Sequence, residues 1–206
     1  MTTETKTLLR NLLGYIGTAY DATNDIKWVA DGNIIAFRGS EDNDDWNTNF
    51  DISMSPYEFE LSHMRLPGGE VHDGFLNRWK ELRSEIHTHI SKFTTIDQPL
   101  IITGHSLGGA IATLCALDLA ISGLSVKLVV FGSPRVGNDD FARLVDHVLD
   151  NHIRVINWGD PVPRVPPLAV GYRHAGKSLR VGSIKNLFKF PHFQHHGREV
   201  YLKEVS

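Results

Sequence analysis

The apolar run Leu100-Ile101-Ile102-Thr103 leads directly into Gly104-His105-Ser106-Leu107-Gly108-Gly109 and then into a long stretch rich in small residues. No other segment restricts the fold so tightly. A G-x-S-x-G pattern between a buried strand and a helix demands a sharp strand-to-helix turn, with glycines where larger side chains would collide. The turn lifts the central serine onto an exposed perch. The helix that follows aims backbone N–H groups and the positive end of its dipole at the same spot. A serine hydroxyl is a weak nucleophile, so it needs a base, and the base needs an acid to orient it.

The surrounding segments fit an open α/β sheet. Leu8, Leu9, Leu12, Leu13, Ile16 and Tyr20 fall at helical spacing, and two short strands flank Asp31-Gly32, a hairpin signal. Tyr57, Phe59 and Leu61 alternate with polar residues, as in a half-exposed strand. Asp73 is placed to cap a helix carrying Phe75, Trp79, Leu82, Ile86 and Ile90, and Gly123 to close the helix after the serine. Strands at 125–131 and 153–157 bracket a helix around Phe141 to Val148. Apolar strands joined by crossover helices predict a buried, largely parallel sheet covered on both faces.

The 206 residues suit one domain spanning 1–206, with 41% hydrophobic and 22% charged content. A formal net charge of −3 and the lack of a basic block argue against a nucleic-acid partner. No apolar stretch approaches the ~20 residues that span a bilayer. The polar start Met1-Thr2-Thr3-Glu4-Thr5-Lys6 shows no secretory leader, and the lone Cys115 cannot form an internal disulfide. Both favour the cytoplasm.

In an open parallel sheet, functional groups gather at the C-terminal strand ends. Asp160 lies just past such an end, in Asn157-Trp158-Gly159-Asp160-Pro161-Val162-Pro163, where it can serve as the acid or merely start a turn before Pro161. The chain order Ser…Asp…His places the base among His174, His192, His195 and His196. His174 reads as part of a connecting strand, whereas the other three share a loop near the C-terminal end. Three clustered histidines also suggest a metal site, but no carboxylate or thiolate stands among them at ligand spacing. Neither a metal nor a cofactor is implied.

Five segments, in order, resemble the class 3 lipases, the α/β-hydrolase family that includes the filamentous-fungal triacylglycerol lipases. They are Ala36-Phe37-Arg38-Gly39-Ser40, Val71-His72-Asp73-Gly74-Phe75-Leu76, Thr103 to Gly109, Phe131 to Asn138, and Gly159 to Pro167. The resemblance implies an α/β-hydrolase fold, a central largely parallel sheet with helices on both faces, and favours Asp160 as the acid. In the family the histidine precedes a tyrosine by a few residues, often with aspartate just before it. His196 stands five residues before Tyr201 and is chosen as the base; because His195 replaces the aspartate, His195 and His192 stay open as alternatives. An oxyanion would meet the backbone N–H of Leu107 and, by resemblance, that of Ser40.

The implied activity is serine carboxylester hydrolysis of acylglycerols or other lipid-like esters through an acyl-enzyme. A general or feruloyl-type carboxylesterase, a phospholipase and a catalytically silent lipid-binding module are the alternatives. Where the fungal lipases carry an apolar lid, this chain reads Glu41-Asp42-Asn43-Asp44-Asp45-Trp46-Asn47-Thr48-Asn49-Phe50. Four carboxylates suit it poorly to entering a lipid surface, so weak interfacial activation is expected. Lys177, Arg180, Lys185 and Lys189 sit around Leu187, Phe188 and Phe190. They would permit transient contact with an anionic lipid surface, although such a pattern is more often a solvated surface strand and loop. His87 and His89 read as exposed helix positions.

Overall fold

The computed structural model describes residues 1–22, 27–39, 52–61, 64–92, 98–187 and 193–206. Ser40, the acidic segment 41–50, His192 and Lys189 lie outside the described residues. Along the chain run α1 (Thr3–Asp21), β1 (Trp28–Asp31), β2 (Ile34–Phe37), β3 (Met54–Leu61), β4 (Met64–His72), α2 (Asp73–Ile90), β5 (Leu100–His105) and α3 (Leu107–Ile121). There follow β6 (Val126–Phe131), β7 (Gly137–Asn138), α4 (Asp139–Val148), β8 (His152–Asn157), β9 (Tyr172–Arg173), β10 (Lys177–Val181) and α5 (Arg198–Val205).

Six strands form the main sheet in the order β1-β2-β5-β6-β8-β10. All neighbours pair parallel except β1, which folds back on β2 as the hairpin pattern predicts. The tight turn falls at Gly32-Asn33, one residue later than the sequence suggests, because Asp31 pairs with Ile34. Alternation along the strands divides the core in two. Ile35, Phe37, Ile102, Leu128 and Val130 face α2, α3 and α4. Ala36, Val129, Phe131, Val155 and Val181 face α1 and α5. On α1, the helical stripe Leu12, Leu13 and Ile16 is fully buried, and each such side chain contributes roughly 1.5–3 kcal/mol. The fold is therefore the α/β-hydrolase architecture, helices covering both faces of a mostly parallel sheet.

A second, antiparallel sheet, β3-β4-β7-β9, was foreseen only in β3 and in the connecting strand near His174, where β9 ends one residue earlier at Arg173. Its β4 contains Pro67-Gly68-Gly69, which reads as a turn, and β7 and β9 are two residues each. Two further local readings are corrected. His72, not Asp73, caps α2: its Nδ1 accepts from the Gly74 N–H at 3.0 Å, because β4 runs straight into the helix. His87 is not a bystander, since its Nε2 lies 2.6 Å from the buried Asp118, whose oxygens also accept from Arg83 at 2.9 and 3.0 Å. This clasp joins α2 to the otherwise apolar α3. Likewise, His89 packs edge-on against Trp28, ring centroids 5.3 Å apart.

Candidate active site

The elbow forms where the sequence places it, although Ser106 is buried, at 3% exposure, and not on the exposed perch expected. Ser106 adopts φ +58° and ψ −129°, the only positive φ at a non-glycine among the described residues. Gly104 makes this turn feasible, because a Cβ there would fall 2.2 Å from the Gly108 carbonyl oxygen. Ser106 is held by its N–H to the Phe131 carbonyl at 3.0 Å. Leu107 opens α3, and an N–H at the first helical position has no intrahelical acceptor.

Beyond β8 the chain turns through Trp158-Gly159 and presents Asp160, which is 1% exposed. Nδ1–H of His196 donates to its two oxygens at 2.9 and 3.1 Å. The same carboxylate accepts from the Val162 N–H at 2.9 Å and from the Tyr201 hydroxyl at 2.5 Å. A carboxylate so engaged is oriented from three sides. Burial and the neighbouring Asp160 push the Tyr201 phenol well above its ordinary value, so it keeps the proton it donates. Tyr201 also accepts from the Asn157 N–H at 3.0 Å, tying α5 to the end of β8.

His196 is held by a short turn, its N–H reaching the Phe193 carbonyl at 2.8 Å, just before α5 begins. Its Nε2 is buried and has no hydrogen-bond partner among the described residues. Gly132 lies beneath the pair at φ +56°. A Cβ there would come within 3.0 Å of Asp160 Oδ2 and 3.1 Å of the His196 ring. Of the other histidines, His195 turns its carbonyl to Asn157, accepting from Nδ2 at 2.9 Å. His174 donates from Nε2 to the Pro163 carbonyl at 2.7 Å and does not join the pair.

Two participants escaped the sequence reading. His105 stacks on His196 with ring centroids 4.6 Å apart, and its Nε2–H donates to the His196 carbonyl at 2.7 Å. Burial, and then the His196 ring, hold its pKa well below the ordinary value, so the ring is neutral and Nδ1 is free to accept. Tyr20 donates to that nitrogen at 3.1 Å and accepts from the Gly39 N–H at 2.9 Å. A relay thus runs from the residue before Ser40, through Tyr20 and His105, to the backbone of His196.

The chain as a whole is similar to known proteins. The family described as Lipase (class 3) matches residues 34–170. The chain belongs to the class 3 lipase family. A secreted mono- and diacylglycerol lipase of Fusarium solani is 39% identical over 143 residues, 68% of this chain and 41% of that protein. A rice phospholipase A1 is 30% identical over 223 aligned positions, covering 95% of this chain and 55% of that protein. The solved structure of a triacylglycerol lipase whose catalytic centre is described as a serine protease triad matches with a TM-score of 0.71. It is 28% identical and covers 89% of this chain and 82% of that one. The chain spans about half the length of the Fusarium and rice relatives, 41% and 55%.

The cytoplasmic expectation is overturned by the same comparison. Secreted class 3 lipases stand among these relatives and point outside the cell. Cys115 carried no compartment signal, because its thiol is buried and burial raises its pKa well above the ordinary value in either environment.

Proposed function

We propose that this class 3 lipase is a serine carboxylester hydrolase of acylglycerols or other lipid-like esters. Ser106 attacks the ester carbonyl while His196 Nε2 takes its proton and returns it to the departing alcohol. Asp160 fixes the His196 tautomer and stabilises the imidazolium. The N–H groups of Leu107 and Ser40 receive the oxyanion. Water then hydrolyses the acyl-enzyme by the same proton path. The observation that carries this reading is the buried His196–Asp160 pair, with Nε2 unpartnered, stacked against the residue that precedes the strained serine.

Phospholipid is a second substrate class, supported by the rice relative, whose match runs over 95% of this chain. Exposed Lys177, Arg180 and Lys185 offer positive charge for transient contact with an anionic lipid surface. The four carboxylates between Glu41 and Asp45 disfavour an apolar lid, so soluble short and medium acyl esters should turn over well.

A panel of acylglycerols and phospholipids of increasing chain length tests the reading. Hydrolysis of monoacylglycerols and diacylglycerols, with no sharp rise past the solubility limit, is the expected result. Inactivity on every ester would refute it.

A further inference from the structure

The face of the main sheet that α2, α3 and α4 cover stops being apolar at its last two strands. Register carries the row from Val130 on β6 to Arg154 on β8, then to Ser178 on β10; the next row carries Ile156 to Arg180. Arg135 and Arg164 approach from the loops on either side. Together with His174 these side chains enclose a pocket of about 190 Å³ beside the Trp158-Gly159-Asp160 turn.

Its charge is unbalanced. Four guanidiniums line the pocket, and the single lining carboxylate, Asp160, is already engaged by His196, Tyr201 and Val162. Arg154 spends Nε on the Ala175 carbonyl at 2.7 Å, yet its Nη1 is buried with no partner among the described residues. Arg135 reaches the Arg164 and Pro166 carbonyls through Nη1, and its Nε is likewise buried and unpartnered. Burial, followed by repulsion from Arg135 and Arg180, lowers Arg154 to about 10. Arg180 is held over the Trp158 ring at 4.4 Å, a rigid platform at the pocket mouth. Four guanidiniums lining one pocket supply the charge and the planar donors that suit the oxygens of a tetrahedral anion. The volume is small for a whole lipid, whose ligand sites usually exceed about 300 Å³.

We propose that this pocket binds a phosphoryl group, either free phosphate or the phosphomonoester head of an anionic lipid. The site is separate from Ser106, and its test uses no turnover. Thermal shift and calorimetric titration of the full chain with inorganic phosphate, at constant ionic strength with chloride as control, measure the first source. Vesicles of phosphatidylcholine carrying phosphatidic acid, against phosphatidylserine vesicles of equal charge, measure the second.

Saturable binding to phosphate, or preference for phosphatidic acid, is expected. Arg164→Gln and Arg180→Gln, both exposed positions, should keep the unliganded Tm and each weaken that binding at least ten-fold. Phosphate binding without a phosphatidic-acid preference assigns the free ion; the preference assigns the lipid head. Absence of both, or binding unchanged in both variants, overturns the proposal.

Discussion

A serine held at φ +58° costs on the order of 1–3 kcal/mol, a strain tolerated because β5 and α3 fix the backbone on both sides. The proposed nucleophile and acid were legible because each sits in a contiguous motif. His196 was legible only through its distance from Tyr201, with two neighbours equally available. The structure separates two of the three: His196 reaches Asp160, whereas His195 offers only its carbonyl to Asn157. His196→Ala should lower kcat by about 10⁴-fold or more, and His195→Ala should stay within a few-fold of the parent, read by initial rates on a soluble ester. Tyr20 and His105 were illegible as site residues. Their bonds join groups 85 and 91 positions apart, and no local pattern records that.

Two helices on the same face of the sheet, α1 and α5, each send one tyrosine into the site. They also brace one another, Arg198 of α5 donating to the Leu13 carbonyl of α1 at 3.3 Å. Tyr201→Phe removes the donor to Asp160 and leaves the Asn157 N–H buried and unpaired, which costs roughly 1–3 kcal/mol. Tyr20→Phe cuts the relay between Gly39 and His105. Both variants should lose kcat with little change in KM, because they position groups and do not touch substrate. A rise in KM at constant kcat would place these tyrosines in substrate binding instead. α1 was readable from its apolar stripe. The final helix was not, since Arg198–Val205 buries only Tyr201 and Val205 and carries little periodic signal.

At the scale of the molecule, the parallel sheet was legible because βα alternation and apolar strands leave few other architectures. The second sheet was hidden by its glycines, its two prolines and its two-residue strands. Two buried imidazoles and the half-buried His174 add a property that sequence alone does not show. His105 is pushed well below its ordinary value, and His152 and His174 to about 3, burial being the largest cause in each. Below about pH 6.5 the unfolded chain takes up protons at these sites that the folded chain refuses. Stability contributed by the neutral rings is complete above pH 6.5 and is lost as pH falls toward 3, by up to about 1.4 kcal/mol per pH unit for each. Denaturant unfolding at pH 7, 6 and 5 should show falling midpoints, with a shallower slope for His152→Phe. Midpoints independent of pH over that range would contradict the assignment of neutral rings.

The central claim is that Ser106 is activated by His196 and Asp160 for attack on an acyl carbonyl. Reaction with a fluorophosphonate, followed by peptide mass spectrometry, tests it most directly. One adduct per chain is expected, on Ser106, and it should be lost in His196→Ala protein that remains folded. A folded parent chain that stays unlabelled, or that carries the adduct on another residue, would contradict it.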